Sequence, residues 1–235
     1  MKKYIYSDKS AVAEAFSEYL VSKIRSTDGP IHIALSGGST PKVVFDFLAE
    51  NFSNMDWSTV RLYWGDERCV PPDDEESNYR MTRLHLLDHI GIPDSHVFRI
   101  KGENEPEREA EAYAQLLREQ LPVVNGVPQF DLVILGMGDD GHTASIFPHN
   151  IALWDSDRLC EVATHPDSSQ QRVTITGEVI NHAKTVAFLV TGQSKQEKVT
   201  IVLNDDVESK SYPAGLVNPA SGNLLWFLDE DAAGT

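Results

Sequence analysis

Apolar residues recur along this chain in two alternating patterns, one helical and one typical of strands. Between residues 10 and 25 the apolar side chains stand at every fourth position among polar neighbours, which predicts an amphipathic helix capped by Ser7 or Asp8. Ile31–Leu35 is a short apolar run that predicts a strand, and a loop of sequence SGGSTP leads from it into a second helical stripe. Strand, loop and helix therefore follow one another from the start of the chain.

The same alternation continues to the C-terminus. The pattern predicts helices at 79–90, 106–121 and 194–203, and strands at 60–64, 130–135, 172–175, 186–190 and 224–228. Strands that alternate with helices indicate an α/β fold, a doubly wound and mainly parallel sheet flanked by helices. We expect residues 1–235 to form one domain, with the acidic end DEDAAGT frayed.

Charge and composition narrow the possible partners. The 235 residues include 36 acidic and 20 basic side chains, a formal charge of −16, so binding to nucleic acid or to an anionic membrane is not expected. Any anionic ligand must then meet a few local cations. The two cysteines are too few for a disulfide framework. Because no apolar run approaches about 20 residues, the sequence predicts a cytoplasmic protein, monomeric or a small homo-oligomer.

The segment 130–148, FDLVILGMGDDGHTASIFP, is the richest in chemistry. Its apolar run is typical of a strand buried on both faces of a parallel sheet, and ligands bind beyond the carboxyl ends of such strands. Asp140 and His142 flank a glycine there, and a carboxylate beside an imidazole fixes its tautomer and raises its basicity. This pattern indicates a general base and its orienting acid. Ser145, three residues later, is expected on a helix in a structural role.

Two other functions match parts of this loop. GMGDDG matches the dinucleotide fingerprint, but two aspartates would face the pyrophosphate with like charge, and Pro148 leaves little room for the long helix that the fingerprint requires. Asp139, Asp140 and His142 could also ligate a metal, although no second histidine or cysteine cluster supports one. We expect neither a metal nor a cofactor. His85 and His89, at i and i+4, are expected on a solvated helix face.

Further polar groups follow other strands. The loop Ser36 to Pro41 opens a helix, so the glycines and free N–H groups of Gly37, Gly38, Ser39 and Thr40 could bind a phosphate. Asp66 and Arg68 in the sequence WGDER follow the strand at 60–64, where a ligand role is favoured over a surface turn. Arg172 and Lys195 are cations at similar topological positions, although each alone is more typical of a surface charge.

Taken together, SGGSTP, WGDER, GMGDDGHTASIFP, the QRVT of 171–174 and TGQSK resemble the 6-phosphogluconolactonase family, over nearly the whole chain. The resemblance implies a modified Rossmann-like fold and metal-free hydrolysis of 6-phospho-D-glucono-1,5-lactone to 6-phosphogluconate in the oxidative pentose phosphate pathway. It implies that His142 is the general base and that Asp140 orients it. By the same resemblance, residues 37–40 bind the phosphate together with Arg172 and Lys195, and Arg68 lies near the substrate. The role of Asp66 and the identity of the oxyanion donor stay open.

Two alternatives remain open beside this resemblance. Glucosamine-6-phosphate deaminases have motifs similar to MDEY and GHIAFNEP at the corresponding positions. In this chain Arg68 stands in place of their tyrosine and Phe147 in place of their glutamate. A non-catalytic sugar-phosphate sensor on the same fold is the other alternative. Such sensors usually attach a DNA-binding segment, for which the chain offers no basic stretch. Asn218 and Pro219 depart from the histidine that the lactonase ending would have.

Overall fold

The computed structural model describes residues 1–204 and 207–235. The α-helices in these residues are α1 (Lys9–Ser26), α2 (Ser39–Phe52), α3 (Asn78–His85), α4 (Pro106–Gln120), α5 (Gly177–His182), α6 (Gln196–Asn204) and α7 (Glu230–Ala233). The strands are β1 (Lys2–Tyr6), β2 (Ile31–Leu35), β3 (Val60–Trp64), β4 (Asp66–Arg68), β5 (Val97–Phe98), β6 (Val123–Val124), β7 (Val127–Pro128), β8 (Leu132–Leu135), β9 (Cys160–Thr164), β10 (Gln171–Ile175), β11 (Val186–Val190) and β12 (Leu224–Asp229).

A parallel sheet forms the centre of the molecule. Within the described residues it has seven strands in the order β1-β12-β11-β8-β2-β3-β5, and each neighbouring pair is parallel. Every residue of the central strands β2, β8 and β11 is buried, as their apolar sequences require. The prediction of an α/β fold with a mainly parallel sheet flanked by helices is confirmed. The carboxyl ends of β2, β8 and β11 lie side by side and face one edge.

A small antiparallel sheet, β4-β10-β9, lies next to that edge. The sequence predicted β10 but neither β4 nor β9. Strand β4 consists of Asp66, Glu67 and Arg68, so it has no apolar pattern from which a strand could be recognised. Its register against β10 sets Arg68 directly opposite Arg172.

The predicted helix at 79–90 is wrong in its second half. Helix α3 ends at His85 because Leu86 leaves helical geometry, at φ −139° and ψ −60°, and a short 3-10 turn follows at Leu87–His89. Therefore His85 and His89 do not share one helix face. His85 Nδ1 instead bonds Asp46 Oδ1 on α2, at 2.6 Å.

Both ends of the chain add structure that the sequence did not predict. Strand β1 pairs with β12 at the edge of the sheet. The C-terminal residues are not frayed, since Asp229 accepts a hydrogen bond from Ala232 N at 2.9 Å and caps α7, and Ala232 is fully buried. At the other end of the described chain Asp8 caps α1, as predicted, through Ala11 N. No helix in the described ranges is long and apolar enough to cross a membrane.

Candidate active site

A cleft of about 210 Å³ opens at the carboxyl edge of the sheet. Its walls come from the loops after β2, β8 and β11 and from strands β4 and β10. The sequence-predicted site residues that line it are Gly37, Gly38, Ser39, Thr40, Asp66, Arg68, His142, Arg172 and Lys195. Asp140 does not line the cleft but bonds to His142. The topology thus gathers into one cavity residues from five separate segments of the chain.

Asp140 and His142 form a hydrogen-bonded pair at this cleft. Asp140 Oδ1 lies 2.6 Å from His142 Nδ1 and also accepts from the His142 backbone N–H at 3.1 Å. Burial by itself would raise the pKa of Asp140, but the hydrogen bonds and charge of His142 outweigh burial and hold that pKa below its ordinary value. An ionised carboxylate can only accept hydrogen bonds, so Nδ1 bears a proton, and in the neutral form of the imidazole the lone pair is on Nε2.

The backbone after β8 sets the position of this pair. Gly141 N donates to Gly138 O at 3.0 Å, and Gly138 N donates to His142 O at 2.9 Å. Gly141 has φ +79°, a left-handed conformation that favours glycine. At Gly138 a Cβ atom would lie 2.1 Å from His142 Nδ1, so the dyad occupies the space that a side chain would need.

The segment after this loop supports the rejection of the dinucleotide fingerprint. Instead of a long helix the chain forms a 3-10 segment, Pro148–Asp155, which is kinked at Asn150. Residues 1–204 and 207–235 contain no group of three or more histidine, cysteine and acidic side chains that could hold a metal ion.

The N-terminus of α2 forms another wall of the cleft. Gly38 precedes the helix with φ +104° and no side-chain cap, so the N–H groups of Ser39 and Thr40 point out of the first turn without intrahelical partners. Thr40 Oγ1 lies 2.7 Å from Thr191 Oγ1 at the end of β11. Uncapped amides and the positive end of a helix dipole form an anion-binding element.

Arg68 and Arg172 add two positive charges to the cleft. They are cross-strand partners in the β4–β10 pair, and the Nε atom of each is buried without a hydrogen-bond partner in the described structure. Arg68 Nη1 donates to Glu76 O at 2.6 Å. Burial, and then the charge of Arg68, lowers the pKa of Arg172. Like charges directly opposite each other on a sheet are unfavourable, and an anion between these guanidinium groups would relieve that repulsion.

Asp66 is a buried carboxylate of the same cleft. Its Oδ2 accepts a hydrogen bond from Ser145 Oγ at 2.6 Å. The prediction that Ser145 lies on a helix is wrong, because the residue sits in a tight turn closed by a bridge between Thr143 and Ile146. Ser145 is fully buried, so its hydroxyl helps to keep an otherwise costly carboxylate satisfied.

Lys195 enters the cleft from the 3-10 turn at the start of α6. Its ammonium forms an ion pair with Asp139, and Ser194 Oγ donates to the same Asp139 oxygen at 3.1 Å. The hydrogen bond from Lys195 holds the pKa of Asp139 below its ordinary value. The sequence offered Asp139 only as a metal-ligand alternative, and this link between the loops after β8 and β11 was not predicted.

Asn78 is a cleft residue that the sequence did not reveal. Its Nδ2 donates to Asp66 O at 3.0 Å, and a Cβ at Gly37 would lie only 1.9 Å from its Oδ1. The buried Glu67 carboxylate accepts hydrogen bonds from Asn78 N and Tyr79 N and anchors the start of α3. Burial raises the pKa of Glu67 against the effect of these hydrogen bonds. The sequence could not single out Asn78 as a cleft residue, because a Ser-Asn pair at the start of a helix is common in proteins.

Comparisons with known proteins place this fold and cleft in a family. The model of the family described as glucosamine-6-phosphate isomerases/6-phosphogluconolactonase matches residues 7–226. The chain is 45% identical to 6-phosphogluconolactonase of Treponema pallidum over 223 residues, which are 94% of this chain and 92% of that protein. It is 43% identical over 205 residues to 6-phosphogluconolactonase of Haemophilus influenzae, covering 86% of each chain.

A solved structure agrees with these relatives. The structure of 6-phosphogluconolactonase from Trypanosoma brucei superposes with a TM-score of 0.87 at 32% identity, covering 99% of this chain and 97% of that one. Because the family model spans most of the chain and the relatives match over nearly their full length, this chain belongs to the glucosamine-6-phosphate isomerase/6-phosphogluconolactonase family.

Proposed function

We propose that this protein hydrolyses 6-phospho-D-glucono-1,5-lactone to 6-phosphogluconate, with His142 as general base. The observation on which this rests is the Asp140–His142 pair at the cleft. It leaves the basic nitrogen Nε2 directed away from Asp140, in a cavity that also contains two arginines without salt bridges to described carboxylates. The names of the two lactonase relatives and of the solved trypanosomal structure support the same reaction.

The proposed reaction uses one water molecule. His142 Nε2 takes a proton from the water as its oxygen forms a bond to the lactone carbonyl carbon. The carbonyl oxygen becomes a tetrahedral oxyanion, which collapses with cleavage of the ring C–O bond. The leaving ring oxygen receives the proton from the imidazolium and becomes a hydroxyl, so His142 returns to its neutral form. Asp140 stabilises the imidazolium and keeps Nδ1 as the donor.

The cations divide between the two ends of the substrate. The N–H groups and hydroxyls of residues 37–40 bind the phosphate with Arg172 and Lys195, while Arg68 lies near the lactone. Backbone N–H groups of the glycine loops and Arg68 are the candidate oxyanion donors, and one such donor is worth about 3 kcal/mol. Asp66, held by Ser145, faces the same cavity and would accept a hydrogen bond from a sugar hydroxyl.

A coupled assay tests this proposal. Fresh 6-phosphogluconolactone is supplied, formation of 6-phosphogluconate is followed, and spontaneous hydrolysis is subtracted. We expect clear acceleration and no ammonia release from glucosamine 6-phosphate. Ammonia release without lactone hydrolysis would favour a deaminase. Binding of the sugar phosphate with turnover of neither substrate would favour a sensor. Independence of metal and cofactor, location in the cytoplasm and assembly as a monomer or small homo-oligomer also remain predictions.

A further inference from the structure

The Phe147 ring contacts two residues of the proposed site at once. It lies with its centroid 4.5 Å from that of the His142 imidazole, at an interplanar angle of 47°. The guanidinium carbon of Arg172 lies 5.6 Å from the same ring centroid. Phe147 is 1% exposed. One buried ring therefore touches both the proposed base and a proposed anion-binding cation.

The contact with Arg172 holds a cation without neutralising it. In the described part of the chain Arg172 forms no salt bridge, and its Nε is buried without a partner. An aromatic face attracts a guanidinium group through its quadrupole and has no net charge of its own. A carboxylate in the same place would form an ion pair with the guanidinium group, as Asp139 does with Lys195. The ring thus leaves the full charge of Arg172 available to an anionic ligand.

The contact with His142 complements the one made by Asp140. Asp140 fixes the Nδ1 side of the imidazole, but one hydrogen bond does not define the plane of a ring. Phe147 packs against that ring and has no polar side-chain atom that could bond Nε2. It therefore restricts the imidazole while it leaves the basic nitrogen free.

The backbone of Phe147 is held independently of His142 and Arg172, and its ring also packs against His149 and His165. Its backbone N–H donates to Asn150 Oδ1 at 2.7 Å, and Asn150 N donates to Phe147 O at 3.0 Å. This reciprocal pair fixes the turn at the start of the 3-10 segment. The turn thus fixes the point from which the ring reaches His142 and Arg172.

We propose that Phe147 is a positioning residue that aligns the His142 base and the Arg172 cation against one shared aromatic ring. This inference rests on the proposed lactonase function. The Phe147 ring would fix the position of the water-activating His142 relative to the anion-binding Arg172.

Three variants test the coupling. Phe147→Leu removes the ring, and Phe147→Met keeps an apolar side chain of similar volume without an aromatic face. Phe16→Leu is the matched control, because Phe16 is also buried but its ring packs edge-on against Phe227, whereas the Phe147 ring packs against His142 and Arg172. For each variant kcat and KM for fresh 6-phosphogluconolactone, the dissociation constant of 6-phosphogluconate and the unfolding temperature are measured.

We expect Phe147→Leu and Phe147→Met to lower kcat by about 10- to 100-fold through misplacement of the base. Both should weaken 6-phosphogluconate binding about threefold through loss of the ring contact with Arg172. Phe16→Leu should lower the unfolding temperature, while kcat and the dissociation constant of 6-phosphogluconate stay near those of the wild type. The inference would be overturned, with the lactonase activity intact, if the Phe147 variants kept wild-type kcat and 6-phosphogluconate affinity as the control does. It would also be overturned if Phe147→Met alone kept both at the wild-type level, because the aromatic ring would then not be needed. An inactive wild type would overturn the proposed function and this inference together.

Discussion

At the level of single residues, two aspartate–histidine pairs with the same Nδ1-to-carboxylate distance occur among the described residues. Asp140–His142 and Asp46–His85 both have an Nδ1 to carboxylate distance of 2.6 Å. Asp46 also forms an ion pair with Lys42 on the outer side of α2, whereas His142 lines a cleft with two arginines that form no salt bridge to a described carboxylate. The pair by itself is therefore not the chemical signal, and its surroundings decide whether it can act as a base.

Replacing each histidine separates these roles. We expect His142→Ala to lower kcat by about 10²- to 10⁴-fold, the usual contribution of a general base, with a circular dichroism spectrum like that of the wild type. His85→Ala removes a matched pair outside the cleft and should leave kcat and KM unchanged. Near-normal turnover by His142→Ala would exclude this residue as the base.

The glycine at 138 is required by space. In Gly138→Ala the new methyl group would overlap His142 Nδ1 and Asp140 Oδ1, so the dyad or its loop must move. We expect kcat to fall by about 100-fold and the free energy of unfolding by about 1–3 kcal/mol. Gly91→Ala is the control, since a Cβ there meets no atom within 4 Å. Equal kinetics for the two variants would show that the dyad tolerates the shift.

At the level of elements, the ends of neighbouring strands are tied together behind the cleft. Asp229, the last residue of β12, accepts from Gly192 N at 2.9 and 3.0 Å and from Ala232 N at 2.9 Å. One carboxylate thus joins the C-terminal helix to the turn that presents Lys195. The C-terminal segment, which the sequence suggested would fray, instead supports a wall of the site.

Asp229→Ala should affect both stability and substrate binding. We expect a loss of about 2 kcal/mol of unfolding free energy from the missing cap and the unpaired Gly192 N–H. A rise in KM of about threefold should follow, because Lys195 must then be ordered on binding. Chemical denaturation and steady-state kinetics measure these two changes.

Glu105→Ala provides the comparison for Asp229→Ala. Glu105 caps α4 through Glu107 N and Arg108 N and is not among the cleft residues, so its loss should reduce stability with KM unchanged. The same rise in KM in both variants would argue against the link between Asp229 and Lys195.

At the level of the whole molecule, negative charge surrounds a small cationic cleft. The formal charge is −16, yet Arg68, Arg172 and Lys195 meet at the carboxyl edge of the sheet. The sequence led us to expect that any anionic ligand of this acidic protein would meet a few local cations, and these three side chains in one cleft agree with that expectation. Elsewhere the excess of like charge opposes the compact state.

Salt should therefore stabilise the ligand-free protein. Raising sodium chloride from about 10 to about 100 mM shortens the Debye length from about 30 to about 10 Å and screens the repulsion. We expect the unfolding temperature at pH 7 to rise by about 2–4 °C, equivalent to about 1 kcal/mol for a chain of this size. Near pH 4.8, the isoelectric point, the gain should vanish. An equal rise at both pH values would point to specific ion binding.

Whether the sequence predicts a strand or a helix end depends on whether its residues form a local apolar pattern. Val186–Val190 and Ile31–Leu35 were predicted with the observed boundaries, because a buried parallel strand has a continuous apolar run. Asp66–Arg68 was missed as a strand, since its burial depends on partners distant in the chain. The end of α3 at His85 was also missed, because local periodicity continues past the point where the backbone turns.

Apart from the ligand roles of Arg172 and Lys195, which only the family resemblance implied, the sequence by itself determined the alternation of strands and helices, the glycine-rich loops at strand ends and the placement of Asp140, His142 and Arg68 after predicted strands. These features are local, and short-range spacing is enough to express them. Only the tertiary structure decided that Arg68 lies opposite Arg172, that Asp139 pairs with Lys195, and that Phe147 contacts both His142 and Arg172. Except for the contact between Phe147 and His142, these contacts join segments far apart in the chain, and their geometry is fixed by strand register and packing, which spacing along the sequence does not encode.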